Sequence, residues 1–408
     1  MQKSGNTKYV VMVGDGMAGW PLEELGGKTT LQAAATPNMD ALASCSVVGM
    51  VKNVPAGYPP GSDVANLSIF GYDPAKYYTG RAPLEAASMG VPLEDGDIAY
   101  RCNLLTIDTS AGYENGVMVD YSGGHVSTDE ARRMIASVGE ALSTDEIKFY
   151  PGVSYRHLMV WRGGASKAAC TPPHDITGRP FSGYLPKGDG EEQLRILMRK
   201  SVDVLADHPV NKARLAAGKK PANSIWLWGQ GGRPAMPDFQ AKYGKTGAII
   251  SAVDLTRGIG VFAGFEVIIV PGATGYIDTN YDGKVEATLS ALERHDIVYL
   301  HVEAPDEAGH SGDTKIKLTA IEDFDRRIVG PVLDGLEKSF QRYRVLLLPD
   351  HPTPIKIRTH SSEPVPYILH TKGDGFKAAR PYDEKLGEQP DARNVADGFR
   401  MMDILLEV

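Results

Sequence analysis

Apolar runs of strand length alternate with stretches of helical periodicity along much of the chain. Tyr9–Val13 is apolar throughout, the pattern of a strand covered on both faces. Ala248–Ala252, Glu266–Val270, Ile297–Val302 and Arg344–Leu348 also read as buried strands, with amphipathic helices over Lys284–Arg294 and Lys315–Ile328 between them. Residues 36–44 read as a turn running into a helix, with Asp40 early in it. Strand, helix, strand in this order predicts an α/β fold, a doubly wound and mostly parallel sheet with helices on both faces.

The middle of the chain has a different rhythm. Residues 98–107 and 117–121 are strand-like, Thr128–Leu142 is helical with Ser127, Thr128 or Asp129 as its cap, and Ile147–Tyr150 and Tyr155–Trp161 are strand-like again. This order predicts a smaller α+β domain inserted into the larger one. The expected division is 1–90 with 206–408 for the larger domain and 91–205 for the insert, residues 209–223 being the polar return linker.

Composition narrows the class. The 408 residues are 42% hydrophobic and 23% charged, which excludes disordered, collagen-like and disulfide-scaffold chains. The net charge of -8, with no strongly basic segment, argues against a nucleic-acid partner. Cys45, Cys102 and Cys170 are far apart and odd in number, which fits reduced thiols. No apolar run approaches the roughly 20 residues of a membrane span, and residues 1–16 hold a strand-sized run without a signal-peptide core. The expectation is a soluble cytoplasmic protein with no membrane partner; oligomeric state is not legible.

Three of the predicted strands run into acidic residues, two of them with histidine close behind. Tyr9–Val13 leads to Gly14-Asp15-Gly16, Ile297–Val302 to Asp306 and His310, and Arg344–Leu348 to Asp350-His351, with His360 nine residues further on. Ligands of open parallel sheets sit beyond the carboxyl ends of the strands. Each Asp alone could be a helix cap or a turn residue. Together they are a mixed carboxylate and imidazole set suited to divalent ions such as Zn or Mn, and too large for one tetrahedral site. Two ions a few Å apart suit phosphoryl or sulfuryl transfer. Ser62 follows a Pro/Gly turn and opens a predicted helix, where backbone N–H groups favour anions; it can be a nucleophile there or a plain cap.

These motifs carry a resemblance. Gly14-Asp15-Gly16, the segments 61–68, 71–74 and 80–86, Asp306-Glu307-Ala308-Gly309-His310 and Pro349-Asp350-His351 resemble the cofactor-independent phosphoglycerate mutases, above all their archaeal-type branch in the alkaline phosphatase superfamily. The resemblance spans nearly the whole chain. It implies an alkaline-phosphatase-like fold and two divalent metal ions (Mn, Zn, Mg or Co), one held by Asp306, His310 and His360, the other by Asp15, Asp350, His351 and the Ser62 hydroxyl. It implies Ser62 as a phosphoserine nucleophile, interconversion of 3- and 2-phosphoglycerate, and no requirement for 2,3-bisphosphoglycerate. Related mutases often carry His where Asn66 stands, and Asn cannot titrate. A homoserine kinase-like activity has been proposed for some bacterial members of the branch, so another small-metabolite phosphotransferase or phosphatase is the rival reading.

A small phosphorylated metabolite also needs cations that grip phosphate and carboxylate, the task of arginine's planar fork. Candidates in Gly- or Pro-containing, loop-like contexts are Arg81, Arg156, Arg179 and Arg233, with Lys315 as a weaker one. His125, just before the insert's helix, resembles the mutases' substrate-contacting histidine and could shuttle a proton. His157 and His174 are secondary, while His208, His295, His301 and His370 have no motif context. Trp161, Trp226 and Trp228 read as core.

Overall fold

The computed structural model of the chain describes residues 6–408. Residues 1–5, part of the stretch read as lacking a signal-peptide core, lie outside them. The chain forms two compact units, one of the residues up to Tyr78 with Met236–Val408, the other of Thr79–Ala235. In chain order the strands are β1 (Lys8–Gly14), β2 (Val47–Val51), β3 (Ile98–Asp108), β4 (Val117–Asp120), β5 (Ile147–Tyr150), β6 (Arg156–Trp161), β7 (Ser224–Gly232), β8 (Gly247–Ile250), β9 (Glu266–Ile268), β10 (Ile297–Val302), β11 (Tyr343–Leu348) and β12 (Val365–Thr371).

The larger unit is built on a seven-stranded sheet in the order β2-β12-β11-β1-β10-β8-β9. β9, β8, β10, β1 and β11 are parallel, while β12 and β2 close one side antiparallel. Every residue of β1, β10 and β11 is buried, which matches the unbroken apolar runs read from sequence. Val10, Met12, Val298, Leu300, Val345 and Leu347 pack into one apolar cluster with Leu292, Ile321, Phe324 and Leu336. Alternate residues of a strand point to opposite faces. On the other face of β10, Tyr299 stacks on Phe70 at 4.0 Å between ring centroids, bringing the Ser62–Ile69 helix against the sheet. Each fully buried side chain of this size contributes roughly 1.5–3 kcal/mol, enough in sum to hold like charges close at the sheet's edge.

The helix expected over Lys315–Ile328 ends at Phe324, followed by a π-helical turn over Asp325–Val329 and a new helix over Gly330–Ser339. The Asp325 carboxylate at this break accepts the Met39 N–H at 2.7 Å and the Asn38 side-chain N–H at 2.8 Å, a tertiary anchor invisible to periodicity.

In the smaller unit β3 is the central strand. It pairs antiparallel with β4, β6 and β7, and β5 pairs with β6. The helix Thr128–Leu142 starts at Ser127 through a capping box with Glu130, and its Ala131, Met134, Ile135, Val138 and Leu142 face the core. A second helix, Glu191–Ala206, adds Leu194, Leu197, Met198 and Leu205 to the same core. The other face of the sheet receives the helix Arg81–Ser88, whose Ala82 and Ala86 pack on Ala99, Leu158 and Val160.

This corrects the expected boundaries at 90/91 and 205/206. Residues 79–90 and 206–235 belong to the smaller unit, because β7 pairs with β3 and the Arg81–Ser88 helix covers that sheet. The stretch 209–223 is not a linker throughout. Pro209–Ala216 is a helix capped by the His208 side chain, with Asn211 bonded to the backbone of Leu205 and Ala222. Among the described residues no helix is long and apolar enough to cross a membrane.

Candidate active site

β1 lies between β10 and β11, with Gly14 beside Val302 and Val13 beside Leu348, so the turns after the three strands are neighbours. Asp15 leaves β1 directly. Asp306 and His310 sit at i and i+4 on the Ala304–Ser311 helix after β10, on one face. Asp350 and His351 follow β11, and His360 comes from the loop beyond. Gly16 makes the approach possible: its φ is 63°, and a Cβ there would lie 2.7 Å from the Asp306 carboxylate.

Two groups of donors form on this rim. Asp306, His351 and His360 present ligand atoms within 4.8 Å of one another, and so do Asp15, His301 and Asp350. His310 belongs with the first, its Nε2 3.2 Å from Asp306 Oδ2 and 2.9 Å from His360 Nε2. His351 reaches toward both, its ring 4.1 Å from that of His360 and its Nε2 3.3 Å from Asp350 Oδ2 and 3.7 Å from Asp15 Oδ1. The same Nε2 lies 3.1 Å from Ser62 Oγ, at the first residue of the Ser62–Ile69 helix. All seven residues singled out from the strand ends and the Pro/Gly turn therefore converge.

Charge is strained here. Burial raises the Asp15 carboxyl well above its usual range, and the carboxylates of Asp350 and Asp306 add to the shift. Burial also opposes ionisation of Asp306, but hydrogen bonds from His310 and His360 outweigh it and hold Asp306 well below. Burial would depress His310, yet Asp306 lifts it to about 9. Burial pushes His351 and His301 down to about 4, so both imidazoles are neutral near pH 7. Asp15 Oδ1 and His301 Nε2 are buried without a hydrogen-bond partner. Buried acids facing one another beside orphaned oxygen and nitrogen donors fit divalent cations.

Sequence reading noticed Asn66 only as a departure from histidine and missed Lys317, two residues that hold this set in place. Asn66 donates from Nδ2 to Asp350 Oδ2 and to the Ser62 carbonyl, both at 2.8 Å, and accepts from the buried Tyr299 hydroxyl at 2.6 Å. It is a strut between nucleophile helix, acid and sheet, a task that needs no titration. Lys317, fully buried, donates to the carbonyls of Thr353 at 2.6 Å and Ala18 at 3.3 Å, and the Thr353 hydroxyl donates to Asp306. Replacing Asn66 with Ala is expected to lower kcat about 100-fold and to cost about 1–3 kcal/mol of stability, since it removes the side-chain partner of the buried Asp350 oxygen and of the buried Tyr299 hydroxyl. Tyr299→Phe, which breaks only the second of these bonds, is expected to do less; steady-state kinetics with thermal unfolding check both.

The candidate substrate cations divide. Arg81 is the first residue of its helix rather than on the loop its context suggested, and Arg156 is the first residue of β6, inside the strand-like run read over Tyr155–Trp161. The Arg81 guanidinium lies 6.0 Å from the Trp228 ring centroid and that of Arg101 4.4 Å, so two cations share one aromatic platform. Arg101, paired with Glu85 at 3.0 Å, was hidden in an apolar strand run. Trp228 is core, as read, but also this platform. Arg156, Arg179, Arg233 and Lys315 are exposed, Lys315 on the Thr314–Phe324 helix, close to where the periodicity began it. His125 is exposed at φ 50°, its backbone N–H 3.2 Å from Ser122 Oγ. His157 is buried and accepts the Gly152 N–H at 3.0 Å, a structural role.

Comparison with known proteins gives the family. Residues 43–211 match the family described as 2,3-bisphosphoglycerate-independent phosphoglycerate mutase. A Geobacter sulfurreducens protein named as a probable mutase of this kind is 57% identical over 401 residues, covering 98% of this chain and 100% of the relative. The Methanosarcina acetivorans mutase is 56% identical, covering 89% of this chain and 90% of its own. Among solved structures, the cofactor-independent phosphoglycerate mutase of Thermoplasma acidophilum is similar at a TM-score of 0.64 and 26% identity, covering 98% and 99% of the two chains. A Pyrococcus horikoshii protein is similar at 0.80 and 29% identity, covering 98% and 97%. Identity sustained over the full length of such relatives places this chain in the family of 2,3-bisphosphoglycerate-independent phosphoglycerate mutases.

Proposed function

We propose that this chain interconverts 3-phosphoglycerate and 2-phosphoglycerate through a phosphoserine on Ser62, without 2,3-bisphosphoglycerate. The observation that carries the reading is Ser62 Oγ at a helix N-terminus, 3.1 Å from His351 Nε2 and on the same rim as both donor groups. Two divalent ions are assigned to that rim, one to Asp306, His310 and His360, the other to Asp15, Asp350, His351 and the Ser62 hydroxyl. Bound there, such ions lower the pKa of a hydroxyl and offset charge on the phosphoryl oxygens.

Ser62 Oγ gives up its proton and bonds to phosphorus as the bond from phosphorus to the glycerate oxygen breaks, and that oxygen takes up a proton to free glycerate. Ser62 opens the Ser62–Ile69 helix, whose N-terminal end favours negative charge. Glycerate reorients, and its other hydroxyl takes the group back. Attack by water in place of glycerate would make a phosphatase, so the waiting phosphoserine must be kept dry. Arg81, Arg156, Arg179, Arg233 and Lys315 are assigned to the substrate's phosphate and carboxylate, and His125 to proton transfer.

The test is an enolase-coupled assay on protein given Mn(II) and 3-phosphoglycerate, without 2,3-bisphosphoglycerate and with free phosphate followed in parallel. The expected result is metal-dependent 2-phosphoglycerate with little phosphate release. Phosphate alone would make the chain a phosphatase. Neither product would move the substrate elsewhere, and homoserine with ATP would be tried next.

A further inference from the structure

His301 stands in the middle of an apolar strand run, yet it is where the rim shows its plainest unmet demand. It is fully buried in β10 and lies two residues after Tyr299, on the same face of the sheet. Its Nε2 is 3.1 Å from Asp15 Oδ2 but makes no aligned hydrogen bond with it. On the other side of the ring, Nδ1 is 3.4 Å from Ser251 Oγ, whose lone pair also accepts the Val253 N–H at 3.0 Å.

We propose that His301 is itself a metal ligand, its Nε2 joining Asp15 and Asp350 around the ion they hold. The proposal rests on the reading of the rim as a divalent-metal site and adds a fourth imidazole to His310, His351 and His360. With the proton on Nδ1 and donated to Ser251 Oγ, Nε2 keeps its lone pair. A lone pair facing a carboxylate oxygen at 3.1 Å is repulsive unless a cation lies between them. The companion acceptor Asp15 Oδ1 is equally buried and equally orphaned. A neutral imidazole, fixed by a hydroxyl at its far nitrogen and aimed at two carboxylates, is the arrangement that ligating histidines adopt. An outer histidine that only oriented Asp15 would direct an N–H along the carboxylate lone pair, and this one does not.

The experiment uses the full chain, stripped of metal and loaded with Zn(II) or Co(II). Side-chain 15N spectra of the Zn(II)-loaded wild type are expected to show four imidazoles shifted by metal; three would overturn the proposal. His301→Gln and His301→Asn are expected to weaken the second ion by more than about 100-fold in equilibrium dialysis, beyond the 10–100-fold usual for outer residues. Both should also change the Co(II) visible spectrum. Weakening within the outer-residue range with an unchanged Co(II) spectrum would make His301 a positioning residue and overturn ligation. The wild-type nitrogen count decides the matter even if both variants fail to fold. Failure of the wild type to bind any ion would instead overturn the metal-site reading itself, and this proposal with it.

Discussion

Ser62→Ala should reduce turnover of 3-phosphoglycerate by about 10⁴-fold or more, the scale on which nucleophile deletions act. The expected signature is a collapse of kcat with the protein still folded and still binding divalent ions through Asp15, Asp306, Asp350 and the histidines. The side chain is small and partly exposed, and Gly61 rather than Ser62 occupies the cap position of the helix, so the loss is chemical rather than structural. Ser62→Thr separates the two causes further, since it keeps a hydroxyl but crowds it. Wild type quenched in acid during turnover should carry label from 32P-phosphoglycerate, and the alanine variant should carry none. Mutase activity retained in Ser62→Ala would end the phosphoserine assignment.

The second large effect is metal removal. Dialysis against a chelator should bring activity to background, and Mn(II), Co(II), Zn(II) or Mg(II) should restore it to different extents. The same treatment should destabilise the larger unit. Without cations, Asp15 remains buried beside Asp350 and Asp306, and the desolvation that chiefly raises its carboxyl, with the repulsion that adds to it, is unrelieved. An ion present at 100 times its Kd stabilises by about 2.7 kcal/mol per site. Thermal unfolding should therefore fall by several degrees on chelation and recover with added ion. An unchanged midpoint together with unchanged activity would dismiss the metal rim altogether.

How much of this could be read beforehand follows from what is local. Asp15, Asp306, His310, Asp350 and His351 were legible because each lies within a few residues of a strand end, and open parallel sheets deliver such residues to one edge. Ser62 was legible as the start of a helix after a Pro/Gly turn. The capping box at Ser127 and Glu130 is likewise written into neighbouring residues. His301, Tyr299 and Arg101 were not legible, for a shared reason. Each sits inside a strand buried on both faces, where polar residues are buried along with apolar ones and sequence does not reveal which partner each meets. Asn66 was noticed only as a departure from histidine; its bonds to Tyr299 and Asp350 depend on a helix and two strands meeting.

The domain limits show the same division. The insert's own strands and helix were plain, but the segments 79–90 and 206–235 joined it through the pairing of β7 with β3 and the packing of Ala82 and Ala86 on that sheet. By itself the sequence determined the α/β class, the strand ends and the carboxylate and imidazole side chains near them, because periodicity and turn chemistry act over a few residues. Only the tertiary structure decided the grouping of the donors, their struts in Asn66 and Lys317, and the turning of His301 toward Asp15. These depend on contacts between residues tens to hundreds of positions apart, and such contacts form only when the whole sheet has closed its core.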